Sequence, residues 1–363
     1  MTRALSITKF YVPLFGCLLA QAVPAQVVSE FPLPVGSALP TKIVSGPDGN
    51  LWFADYPGIG RITTSGDVTQ VPIGVAVTAQ DLVFDSEGNL WFTEDTKIAR
   101  LARNGQLVEF SLPTGSRAFG IAFGPDGNVW FTEPANSRIG RITQSGSVAE
   151  FPVSGGPFAI TAGPDGNLWF TEAGNRIGRI TPTGAVTEFE VGGDIPFSGG
   201  QAITAGPDGA IWFTDPRGRI GRINTTGVIS EFTIPDFQGQ TLAGITLGPD
   251  GNLWFSEASA PVGPPPPEVP PSKIGRITPA GIITQFSLPN PWAYPLGITK
   301  GPDGNLWTVE FYVNKIARIL PSALPPVAQA ASVPTLSESA LAALAVLLAL
   351  SAVLLIHGFH HRG

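Results

Sequence analysis

Residues 120–153 read GIAFGPDGNVWFTEPANSRIGRITQSGSVAEFPV. Four short runs rich in Val, Ile, Phe, Trp and Thr alternate with turn chemistry. Pro125-Asp126-Gly127 breaks the first run from the second, and Ser145-Gly146 breaks the third from the fourth. Such residues favour a pleated sheet buried on both faces, and Pro-Asp-Gly and Ser-Gly favour tight reversals. The stretch therefore predicts four strands, A to D, of about five residues each.

The same wording returns along the chain. Gly-Pro-Asp-Gly stands at 46–49, 124–127, 163–166, 206–209, 248–251 and 301–304, with a degenerate copy at Asp85-Ser86-Glu87-Gly88. A tryptophan follows each copy: Trp52, Trp91, Trp130, Trp169, Trp212, Trp254 and Trp307. The intervals are 39, 39, 39, 43, 42 and 53 residues. The longest holds a proline-rich insertion at 261–271, which reads either as a partner-binding polyproline stretch or as a stiff, inert loop. Trp292 lies outside the pattern. Four strands in about 40 residues is the period of a β-propeller blade. A helical solenoid would need apolar spacing of about 3.6 residues and few Gly or Pro.

The strand-D wording, Phe or Val after Glu or Gln, recurs at Phe31, Val71, Phe110, Phe151, Phe189, Phe232 and Phe286. Its first copy precedes every strand A, and the last A–B–C set, Leu296 to Ile319, has no strand D after it. The prediction is an all-β, seven-bladed propeller of four-stranded blades, closed by the amino-terminal strand pairing in the last blade. Closure removes the unpaired edges that invite aggregation, so a monomer is expected.

Composition narrows the chemistry. The 363 residues include 44 Gly and 36 Pro, and 13% are charged, roughly half the usual density of about 25%. The net charge of −7 argues against nucleic acid as a partner. The only cysteine is Cys17, and the histidines are His357, His360 and His361. Residues 26–320 thus contain no thiol nucleophile, no imidazole base and no zinc site of the usual ligands.

The ends read as addresses. Residues 1–25 have a basic start, an apolar run from Phe10 to Ala20 and small residues at Val23 and Ala25, the pattern of a signal peptide cut after Ala25. Leu14-Phe15-Gly16-Cys17 also loosely resembles a lipoprotein box. Residues 321–332 read as a linker. In residues 333–363, Val333-Pro334-Thr335-Leu336 precedes an apolar stretch and Arg362. This tail is similar to the bacterial sorting signals of the Ile-Pro-Thr-Leu type, and also suits a plain transmembrane helix. Both readings place residues 26–320 outside the cytoplasm, in the periplasm, cell envelope or cell surface, with the tail in the membrane.

Charges recur too. Strand B ends on Asp55, Glu94, Glu133, Glu172, Asp215, Glu257 and Glu310, and in six blades strand C opens on a base: Lys97, Arg138, Arg176, Arg219, Lys273 and Lys315. Acid and base flank one loop and are expected to pair across strands. The other reading is a ring of acids around the channel mouth, able to hold a cation. The D–A and B–C loops share one propeller face. There the binding candidates are Arg117, Phe119, Phe158, Gln201, Trp292 and Tyr294, with Lys42, Gln80, Asp81, Asp194, Phe197, Arg217, Asp236, Phe237 and Gln240 around them. A small molecule or a surface partner would bind there.

The recurring Gly-Pro-Asp-Gly-Asn-Leu-Trp-Phe-Thr-Glu, then Arg-Ile-Gly-Arg-Ile-Thr and Glu-Phe, resembles the streptogramin B lyase (virginiamycin B lyase) family over about 27–320. That resemblance implies a seven-bladed propeller that opens a cyclic depsipeptide by elimination at its ester with a bound magnesium ion. It also implies histidines just before strand A. Here those positions fall on Thr41, Gln80, Phe119, Phe158, Gln201, Ala243 and Leu296. Glu310 matches a strand-B acid of the lyases, and Glu257 is its counterpart one blade earlier; these are the candidate catalytic and metal residues. The expectation is a ligand- or partner-binding module without the family's lyase histidines. The alternative is a magnesium-dependent lyase or hydrolase of cyclic esters or lactones.

Overall fold

Gly127 turns the chain with φ of +75°, a conformation that costs glycine nothing. Asp126 fastens this turn: its Oδ1 accepts the Asn128 backbone N–H at 3.3 Å. The same Oδ1 also accepts the Trp130 indole Nε1–H at 3.0 Å. One carboxylate thus fixes the A–B turn and orients the largest core residue. In the degenerate copy Asp85 takes over both tasks, accepting Trp91 Nε1–H at 2.8 Å.

The structure is a computed structural model that describes residues 28–34, 36–56, 58–73, 78–113, 115–192, 201–259 and 270–321. The leader 1–25, the linker from 322, the tail 333–363, Asp194, Phe197 and the insertion as far as 269 lie outside the described residues. Among the described residues no helix is long and apolar enough to cross a membrane.

Seven antiparallel sheets of four strands each form the blades. Six are continuous in sequence, with strands between 38–70, 82–111, 121–152, 157–190, 203–233 and 241–287. The seventh takes its A, B and C strands from Pro295–Lys300, Leu306–Glu310 and Lys315–Ile319, and its D strand from Val28–Pro32. Val28 pairs with Ile319 and Phe31 with Ile316. Each A strand touches the A strands on either side, and blade 7 touches blade 1. The predicted seven blades and amino-terminal seam are therefore the observed architecture.

Packing repeats with the sequence. Trp91, Trp130, Trp169, Trp212, Trp254 and Trp307 are fully buried, each contributing about 2–3 kcal/mol by area. The strand-B phenylalanine brings the tip of its ring against a strand-C glycine, as Phe131 does at Gly140, where a Cβ would overlap the ring. The second base of strand C is a staple. Arg100 lies 5.4 Å from the Trp91 ring and 5.8 Å from Phe110 in its own blade. Its Nη1 donates to the Gln144 carbonyl of the next blade at 3.0 Å. Arg141, Arg179 and Arg318 do the same to Pro182, Thr225 and Thr64.

Candidate functional site

The residues just before strand A are placed by the strand-B hydroxyls. Thr132 Oγ1 accepts the Gly120 N–H at 2.8 Å and donates to the Phe158 carbonyl of the next blade at 2.6 Å. Thr93 bridges Asp81 N–H and the Phe119 carbonyl at 3.1 and 2.8 Å. Ser256 bridges Gly244 N–H and the Leu296 carbonyl at 2.8 and 2.9 Å. Each hydroxyl ties its own blade to the next at the axis.

These ties assemble a central cavity of about 300 Å³, lined by residues from all seven blades. Thr41, Gln80, Phe119, Gln201, Ala243 and Leu296 all line it. They are six of the seven positions where the family resemblance places histidine. The seventh, Phe158, packs edge-on against Phe119 at 6.3 Å and 83°. The wall is mixed, with Gln201 of blade 5 a further polar member. Blades 1 and 2 supply Thr41, Lys42, Gln80 and Asp81; Ile121, Ile160, Ile245, Leu296 and Ile298 supply apolar surface. Lys42 Nζ lies 3.1 Å from Asp81 Oδ1, and Asp81 also accepts the N–H of Leu82 and, from blade 3, of Ile121.

An adjoining cavity of about 320 Å³ is lined by Gln80, Asp95, Arg117, Phe119 and Pro134 among others. Arg117 pairs there with Asp95 at 3.2 Å, both well exposed. Such a pair is weak and opens readily to a ligand. Asp95 had no sequence signal beyond following Glu94. Phe119 is exposed and borders both spaces.

Other candidates lie elsewhere. Trp292 and Tyr294 line neither cavity. Tyr294 joins Phe311 and Tyr312 in an aromatic cluster, with ring centroids 6.0 and 4.7 Å away. Arg217 is a clamp inside blade 5, bonded to Asp215, Glu231 and the Gly192 carbonyl. Phe237 packs on Gly218.

The strand-B acids correct one expectation. Across-strand pairing with the first base of strand C holds for Glu172, whose Oε2 lies 3.2 Å from Arg176 Nε. In four other blades the base reaches past the acid to a glutamate on strand D: Lys97 to Glu109, Arg138 to Glu150, Arg219 to Glu231 and Lys315 to Glu30. The reason is solvation. The strand-D acid is partly exposed, and a long basic chain keeps its charge near water by bonding there. Glu133, Glu257 and Glu310 are left fully buried. Glu257 bonds to Gln285 at 2.8 Å, and burial raises its pKa. Burial, with Glu150 nearby, pushes Glu133 up to about 7. Burial and the neighbouring Glu30 push Glu310 up to about 8.

None of the seven strand-B acids lines the central cavity. Magnesium requires several oxygen ligands in near-octahedral array. Glu310 instead faces Pro295 across the ladder and has Glu30 beside it, which Lys315 engages. Among the described residues no three His, Cys, Asp or Glu side chains are grouped to hold a metal. The residues present do not fit the ion.

The model of the virginiamycin B lyase family matches residues 59–264 and 203–324. A streptogramin B lyase structure is 34% identical, covering 81% of this chain and 97% of its own, with TM-score 0.72. Virginiamycin B lyase from Staphylococcus aureus is 34% identical over 80% of this chain and 98% of its own, with TM-score 0.71. A catalytically inactive histidine-to-alanine variant of the S. aureus enzyme, crystallised with quinupristin, is 35% identical over 80% and 98%, with TM-score 0.70. No curated protein matches. The chain belongs to the virginiamycin B lyase family.

Proposed function

We propose that this protein is an exported, envelope-attached propeller that binds a compact amphipathic molecule in its central cavity without the imidazole chemistry of its lyase relatives. One observation carries the reading. Six of the seven positions where the family resemblance places histidine converge on one cavity, and they hold Thr, Gln, Phe, Gln, Ala and Leu. Elimination beside a carbonyl needs a positioned base of suitable pKa, and none of these side chains is one. What they offer instead is selectivity. Gln80 and the Lys42–Asp81 pair from blades 1 and 2, and Gln201 from blade 5, can bond amide or ester groups, while Phe119 and the isoleucines between them take apolar surface. Export and attachment rest on the leader and tail sequences.

The other reading, a lyase or hydrolase of cyclic esters or lactones, draws on Glu310. A carboxyl pushed up to about 8 holds a proton at neutral pH and is a general acid in waiting. Its place opposite Pro295 on the neighbouring strand, outside the cavity lining, favours a structural role.

Quinupristin, found with the inactive relative, is the first probe. Calorimetric titration of the full chain is expected to give saturable binding that weakens at least about tenfold in Phe119→Ala. Absence of binding to quinupristin and to a panel of smaller cyclic esters and lactones would overturn the reading.

A further inference from the structure

The wedge between neighbouring blades is filled by the same ring five times. The strand-D phenylalanine presses on the C–D turn glycine of the next blade, as Phe31 does on Gly66 and Phe110 on Gly146, so closely that a Cβ there would overlap the ring. Within its own blade that ring stacks on tryptophan, 5.6 Å from Trp91 in the case of Phe110, under an arginine at 5.8 Å.

Blade 1 breaks the pattern. Val71 stands where the phenylalanine belongs, and the next turn glycine, Gly105, has nothing within 4 Å of a Cβ position. Trp52 is only partly buried, unlike its six counterparts. Arg61 still lies over the indole at 5.9 Å and 3.8 Å from Asp48, as Arg179 lies 3.8 Å from Asp165, but it is 40% exposed against 26% for Arg179. The missing ring leaves a cavity of about 330 Å³ between Trp52, Val71, Phe84 and Leu101, rimmed by Arg61 and Arg103.

We propose that this cavity is a binding site for an aryl carboxylate. The repeat itself identifies the ring: a planar aromatic group stacked on the indole, with one guanidinium against both rings, is the filled state elsewhere in the molecule. The size agrees, since an apolar cavity of about 150 Å³ already holds benzene, leaving room for a short acid-bearing arm. The charge agrees as well. Two guanidiniums against Asp48 leave one positive charge at the rim, matched to one carboxylate. Trp52 and Arg61 supply stacking and cation–π faces. The site is separate from the central cavity and does not depend on what binds there.

The test is calorimetric titration of the full chain with 3-phenylpropionate and phenylacetate. For ligands of this size the expected dissociation constant is roughly 0.1–1 mM. Val71→Phe supplies the missing ring from within. It is expected to weaken binding at least about tenfold and to raise the melting temperature. Arg103→Gln, at the exposed rim, is expected to weaken binding about tenfold without changing stability. It decides the matter alone should Val71→Phe not fold. No binding by the parent chain, undiminished binding by folded Val71→Phe, or undiminished binding by Arg103→Gln would each overturn the proposal. So would loss of binding in Phe119→Ala, which would place the acid in the central cavity.

Discussion

Lys315 and Glu30 stand 285 positions apart in the chain and form one ion pair across adjacent strands. The pair marks the seam at which the first described strand completes the last blade. Phe31, one residue on, stacks on Trp307 at 5.5 Å and 19° and covers Gly66 of blade 1.

The seam should therefore govern the whole ring. Phe31→Ala is expected to destabilise by about 2–4 kcal/mol, toward the lower end of aromatic-to-alanine costs because Phe31 is half-buried. Deleting residues 26–36 should leave the Lys315–Ile319 edge unpaired and produce aggregates. Urea unfolding and light scattering check these outcomes. A truncated chain that stays monomeric with unchanged unfolding would refute the seam's role.

Arginine at the staple should not be exchangeable for lysine. Arg100 stacks on two rings and reaches the Gln144 carbonyl together, a combination of planar face and directed N–H that an ammonium lacks. Arg100→Lys is expected to cost about 1–2 kcal/mol. Arg61→Lys, in the blade that lacks the second ring, should cost under about 0.5 kcal/mol. Equal losses by thermal unfolding would show that the staple is not the source of the difference.

Acid and alkali should destabilise for opposite reasons. Glu310 at about 8 and Glu133 at about 7 hold protons that the unfolded chain releases near 4.5. The folded state then binds more protons between those values, so stability falls as pH rises from about 4.5 to 8 and levels off above. The turn aspartates run the other way. Burial alone would raise Asp126, but hydrogen bonds from Asn128 and Trp130 outweigh it and hold the carboxyl below its usual 3.8. The stability it adds is present above that value and is lost as pH falls through the lowered one. Melting temperature should peak at about pH 4–5, decline to about pH 8 and level off above. Glu310→Gln should flatten the alkaline limb and melt higher than the parent at pH 9. A parent profile that is flat between pH 5 and 9 would contradict the assignment.

The fold was legible in the sequence because turn and core chemistry recur together: Pro-Asp-Gly, then Trp, at near-constant spacing. The partner of each charge was not. Ladder register puts Lys97 opposite Glu94, and sequence alone does not show that its Nζ goes on to the more exposed Glu109. The central cavity was half legible. Phe119 and Gln201 were marked by their place before strand A, whereas Asp95 became visible only beside Arg117. Val71 was visible as the odd member of the strand-D series. Its consequence, an open wedge, needed the five filled wedges for comparison.

The central claim is that the cavity keeps the family's place for a ligand but not its base. Mass spectrometry of quinupristin after prolonged incubation with the purified chain, with and without added magnesium, tests it most directly. The account predicts that the macrocycle is recovered intact in both conditions while remaining bound at saturating protein. A ring-opened product that forms with magnesium and disappears in Glu310→Ala would contradict it.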